Sequence, residues 1–135
     1  MVQTSEVLFE NRSITLAWDH KGQFLHVEWK GFANNEGYRE ILLKQIELTR
    51  EKRARRILYD LRNMGVVSRD NQAYTNEEYF PAVSRAGNKV AAIVVPENVF
   101  GEMSVSAIMG ARNEALFQAQ IFDDPGPAKA WLEKT

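Results

Sequence analysis

The hydrophobic pattern predicts an α/β fold. A mixed sheet begins with an antiparallel N-terminal hairpin and continues in βα repeats, with helices packed mainly on one face. Three observations carry this reading. Residues 1–30 alternate apolar and polar side chains, nearly continuous apolar runs rich in Ile, Leu and Val follow, and segments of helical period separate those runs. A chain of 135 residues suits one domain, 1–135, able to bury about two-thirds of the surface it exposes when unfolded.

The elements follow in order. "EVLFEN" offers a short first strand. "SITLAWD" alternates Ile14, Leu16 and Trp18 against Thr15, Ala17 and Asp19, and "FLHVEWKG" alternates Leu25, Val27 and Trp29 against Phe24, His26 and Glu28. "DHKGQ" between them is a Gly-containing hairpin turn. Asn34 or Asn35 can cap a helix reaching about Arg55, with Tyr38, Ile41, Leu42, Ile46 and Thr49 on one stripe that Leu43 and Leu48 widen. "RILYDL" and "KVAAIVVP" read as central parallel strands. From Ser68 to Ala86 the chain is helical, Gly87 ends the helix, Pro81 kinks or restarts it, and the capping box "TNEE" admits two shorter helices. After the loop "ENVFG" comes a helix of about Met103 to Asn113, then the strand "ALFQAQIF". A last helix has Asp124 as its cap, Pro125 in the first position and Ala128, Trp131 and Leu132 as its docking face. Phe24 and Leu116 then fall on an outer sheet face that needs a cover, most simply a second copy in a homodimer.

Composition narrows the function. Seventeen basic against eighteen acidic residues leave a net charge of −1, which gives no general attraction to nucleic acid or to an anionic membrane. The absence of cysteine removes disulfides, thiolate metal sites and a cysteine nucleophile. "MVQTSEVLFENRS" has no apolar core of a secretory leader, and no run is long enough to span a bilayer, so a cytoplasmic location without a membrane span is expected. Dinucleotide, P-loop and nucleophile-elbow motifs are missing. The two histidines, His20 in a turn and His26 on a strand beside Glu28, have no converging partners, so neither a metal nor a cofactor is expected.

Two groups of residues remain as candidates. Asp60, Arg62, Asn63 and Ser68 follow the C-terminal end of a parallel strand, where ligands bind in open α/β sheets. The alternative is structural: Asn63 and Gly65 shape a turn, Arg62 faces solvent and Ser68 caps the next helix. The apolar set Val99, Phe100, Met103, Val105, Ile108 and Met109 is the second group, either core or the lining of an apolar pocket, with Phe100, Met103 and Met109 as its candidate wall. The basic run "REKRARR" reads as an anion site or as a solvated helix end suited to the helix dipole.

The stretches "LHVEWKGF", "ILYDLRNMGVVS", "YFPAVSRAG", "AAIVVP", "MSVSAIM" and "IFDDPGPAKAWL" resemble the STAS-like domains, and within them the SpoIIAA-like group of small bacterial proteins. The resemblance implies the STAS-like fold across nearly the whole chain, but no reaction. In the anti-sigma-factor antagonists of that family the strand runs into Asp-Leu-Ser and then Asp-Ser-Ser-Gly, whose first serine is phosphorylated. Asp60-Leu61 matches the start. In register, however, Ser68 falls on the second Asp and Arg69 on the phosphoserine, and the Gly is missing. Ser68 therefore reads as a cap.

The function expected from these readings is a non-enzymatic STAS-like domain binding a protein partner or small ligand through its strand-end loops. The alternative is a carrier of a small apolar or lipid-like molecule in an internal pocket. An enzyme would have to work with Asp, Glu, Tyr or Ser and no evident base.

Overall fold

The computed structural model describes residues 5–135; residues 1–4, the start of the segment read above as lacking a leader, lie outside the described residues. Six strands form one sheet: β1 (Ser5–Glu10), β2 (Ile14–Asp19), β3 (Phe24–Trp29), β4 (Arg56–Asp60), β5 (Val90–Val94) and β6 (Gln118–Phe122). They lie side by side in chain order. The first three are antiparallel, and β4, β5 and β6 are each added in parallel to the strand before.

That order decides the layering. Each parallel step moves to the next position in the same direction, and right-handed crossovers repeated in one direction put every connecting helix on one face. The front of the sheet therefore carries α1 (Asn35–Lys52), α2 (Arg69–Tyr74), α3 (Phe80–Arg85) and α4 (Val99–Ala111). Only α5 (Pro125–Lys134), which follows the last strand, packs on the rear. Leu16, Trp18, Leu25, Val27 and Trp29 lie in the front core, as their alternation predicts.

Several boundaries differ from the sequence reading. The first helix stops at Lys52 because Arg53 takes a left-handed conformation (φ 52°), and the Ala54 N–H then closes onto the Thr49 carbonyl at 2.9 Å. Leu43 is 56% exposed, so it lies outside the buried stripe that it was placed to widen. Two arginines of the basic run have structural work: Arg55 donates to the Thr135 carbonyl and Arg56 to that of Leu132, both at the end of α5.

The segment after Ser68 is one continuous helical path rather than two capped helices. Thr75 has helical backbone angles and its hydroxyl donates to the Asn71 carbonyl at 2.6 Å, so "TNEE" is not a capping box. A π-helical turn, Thr75–Tyr79, separates α2 from α3, and the Phe80 N–H reaches back to the Thr75 carbonyl. This wider turn comes just before Pro81, which has no N–H and whose ring would crowd an ordinary α-turn. The next helix begins at Val99, four residues earlier than its apolar period suggests, because Asn98 caps it by accepting from the Gly101 N–H at 2.7 Å. The last strand begins at Gln118.

The expected open patch on the outer face does not form. Phe24 is only 1% exposed, packed with Leu58, Val90, Ala92 and Val94 beneath Ala128 and Leu132 of α5, while Leu116 packs against the front core. The chain covers its own rear face, so a homodimer loses the ground it had there. Among the described residues no helix is long and apolar enough to cross a membrane.

Candidate functional site

The four polar residues grouped by sequence do not form one site. Along β4, Ile57 and Tyr59 enter the front core and Leu58 the rear, so alternation sends Asp60 to the rear as well. There it lies beside Glu28, its register partner on β3. Arg62 folds back onto it as a fork, with Nε donating to Oδ1 at 2.9 Å and Nη2 to Oδ2 at 2.8 Å. Burial alone would raise the Asp60 pKa, but the Arg62 side-chain and backbone hydrogen bonds outweigh it and hold the carboxyl below its ordinary value. Asn63 is exposed. His26, on the same face, has its pKa lowered by burial first and by Lys129 second; its Nε2 is buried without a partner.

Ser68 stands on the front. Its hydroxyl accepts from the Asn71 N–H at 3.2 Å, as a helix cap does, and donates to Asn35 Oδ1 at 3.0 Å. Asn71 is buried, donates to both Asn35 oxygens and accepts from Arg39 Nε at 2.8 Å. The Arg39 guanidinium lies over the Tyr74 ring, 4.5 Å from its centre. These bonds clasp the start of α1 to the start of α2. No hydrogen bond joins this clasp to Asp60 or Arg62 among the described residues. The physical reason is the strand order: without a reversal there is no crevice at the strand ends in which the two groups could meet.

Between the clasp and α4 lies an exposed apolar patch. Val66 on the loop and Val99, Phe100 and Met103 on α4 are 56%, 66%, 71% and 63% exposed. They are four of the eight large apolar side chains that stand exposed among the described residues. Phe100 and Met103 thus edge an outer groove with Val66, Ser68 and Arg69 and do not line the interior, whereas Met109 does. The ground beneath the patch is firmly tied. Asn98 Nδ2 donates to the Met64 carbonyl at 2.8 Å, Ser104 Oγ accepts from the Val67 N–H at 2.9 Å, and Gln72 Nε2 donates to the Val67 carbonyl at 2.8 Å.

Beneath the front helices lies a cavity of about 50 Å³, walled by apolar side chains and by Tyr38, Gln45, Tyr59, Thr75 and Tyr79. It is well below the ~300–1,000 Å³ of a pocket for a drug-sized ligand. Sequence reasoning missed these polar residues as a group because Tyr38 and Gln45 sit in one amphipathic helix, Tyr59 in an apolar strand, and Thr75 and Tyr79 in a separate helical segment. Their partners are far apart in the chain, so no local spacing marks them. Comparison with known proteins returns no matching family model, no matching curated protein and no matching solved structure.

Proposed function

We propose that the chain is a non-enzymatic, cytoplasmic STAS-like domain of the SpoIIAA-like kind that binds a protein partner through the strand-end patch on its front. The carrying observation is the clustering of Val66, Val99, Phe100 and Met103 on a loop and helix start held by side-chain hydrogen bonds. A surface already fixed in shape loses little conformational freedom on binding. Its rim mixes Arg69 with Asp70, Glu97 and Glu102, all exposed, which suits the polar margin of a protein interface. Such a rim lacks the basic collar that would draw it to an anionic membrane. The carrier reading would need the 50 Å³ cavity to widen several-fold.

The test compares proteins captured from lysate of the source cell by wild type, Phe100→Glu and the control Phe32→Glu, which alters an equally exposed phenylalanine elsewhere. A partner retained by wild type and Phe32→Glu but lost by Phe100→Glu, with melting curves unchanged, is the expected result. Identical captured sets for all three would overturn the reading.

A further inference from the structure

The sheet has two edges, and the chain guards only one of them. A bare edge strand presents a row of unpaired backbone groups that another strand can take up. On β1 the register with β2 shifts between Val7 and Phe9, and Glu6 and Glu10 stand on the strand. A bulge and like charges of that kind keep a further strand away. β6 has neither. Its residues, Gln118–Phe122, include no charge and no proline, pair with β5 without a shift in register, and have no strand beyond them.

The bonds on the inner side of β6 show which backbone groups stay open. The Gln118 N–H donates to the Lys89 carbonyl at 2.9 Å, and the Phe122 carbonyl accepts from the Val95 N–H at 3.0 Å. Backbone groups turn to alternate sides along a strand, so Ala119 and Ile121 direct theirs outward. Their side chains lie on the front, because their register partners Ala91 and Ile93 belong to the front core. There Ile121 is 53% exposed, beside a groove that Met109 and Ala119 also line.

This edge complements itself. In an antiparallel pair about a two-fold axis at Gln120, Ala119 meets the partner's Ile121, and Ile121 meets the partner's Ala119. Residues opposed with their backbone groups turned toward each other exchange both N–H···O bonds. A large side chain then lies across from a small one on each side of the axis. Gln120 meets the partner's Gln120, so no like charges are brought together.

Charge points to the same register. It sets Phe117 across from the partner's Asp123. The Arg112 guanidinium lies over the Phe117 ring, 5.5 Å from its centre, and its Nη1 donates to the Phe117 carbonyl at 3.4 Å. Within the chain, neither Arg112 nor the exposed Asp123 has an ion pair among the described residues. The two-fold pairing brings Arg112 beside the partner's Asp123, and the reverse, so each charge meets its opposite.

We propose that β6 is a dimerisation edge, at which two copies of the chain join antiparallel about an axis at Gln120 and continue one sheet across both. This contact uses neither the rear face that α5 covers nor the patch of Val66, Val99, Phe100 and Met103.

Sedimentation of the full chain at rising concentration, combined with amide hydrogen exchange, tests the proposal. Wild type should dimerise reversibly by high micromolar concentration, and the Ala119 and Ile121 amides should exchange more slowly as it does. Ile121→Lys should remain monomeric. Arg112→Glu should weaken the dimer, and adding Asp123→Lys should restore it, since the same contact returns with its signs reversed. A wild type that stays monomeric at high micromolar concentration would overturn the proposal without any variant. So would a dimer in which the Ala119 and Ile121 amides exchange as fast as in the monomer, or one lost in Phe100→Glu and kept in Ile121→Lys.

Discussion

Gly101 lies directly against the Met64 carbonyl oxygen, so that a β-carbon placed on the glycine would overlap it. Gly110, nine residues later in the same helix, has nothing within 4 Å of the corresponding position. Replacing glycine by alanine inside an exposed helix ordinarily stabilises by about 0.5–1 kcal/mol through backbone entropy. The two positions should therefore respond with opposite signs. Gly110→Ala is expected to raise the melting temperature slightly, whereas Gly101→Ala should cost about 1–3 kcal/mol as α4 is forced off its loop. Thermal unfolding of both variants checks this, and Gly101→Ala as stable as wild type would show that the loop yields freely.

The Asp60–Arg62 fork predicts a pH-dependent cost. Asp60 has a depressed pKa in the folded state, so the stability it contributes is present above the ordinary aspartate value of about 3.9 and is lost as pH falls through the folded value. Arg62→Met leaves the Asp60 side chain, 5% exposed, without its partner. The loss at pH 7 should be about 1–3 kcal/mol. It should shrink as the pH drops toward about 4, because the unpaired carboxyl then escapes its charge by protonation. Denaturant titrations across that range measure the gap. A gap independent of pH would assign the effect of Arg62 to packing.

Ser68 offers a discrimination between cap and switch. Asp caps as well as Ser, so Ser68→Asp should stay within about 0.5 kcal/mol of wild type, the small loss reflecting the bond given to Asn35. Ser68→Ala should lose about 1 kcal/mol. If Ser68→Asp abolished partner capture while Ser68→Asn preserved it, added charge at this position would be the signal and the phosphorylation reading would return.

The sheet and its helices were legible because their signals are local. Alternation placed Trp18 and Trp29 in the core, and Asp124 with Pro125 marked the start of α5, where Asp124 accepts from the Gly126 N–H at 3.1 Å. Ala128 and Leu132 do form its docking face, with Trp131 half-buried against Phe122 at 5.8 Å between ring centres. The site was less legible. Asp60 and Ser68 look adjacent in sequence, but strand alternation and a winding loop send them to opposite faces of the sheet. Phe100 has the composition of a core residue, and only the position of the Asn98 cap shows that its helix begins early enough to turn it outward. The Arg39–Asn71 and Tyr79–Gln45 bonds join residues more than thirty positions apart, and no spacing rule reaches them.

A sheet laid down in chain order can assemble as it is synthesised, since every strand emerges next to a finished neighbour. The rear layer is the exception. Phe24, Leu58, Val90, Ala92 and Val94 must wait for α5, the last of the described elements to be made. Until it arrives, a nascent chain shows a continuous greasy surface of the kind that chaperones and proteases read. Closure of the rear layer therefore depends on one helix: a copy lacking Ala128 and Leu132 would leave that face bare.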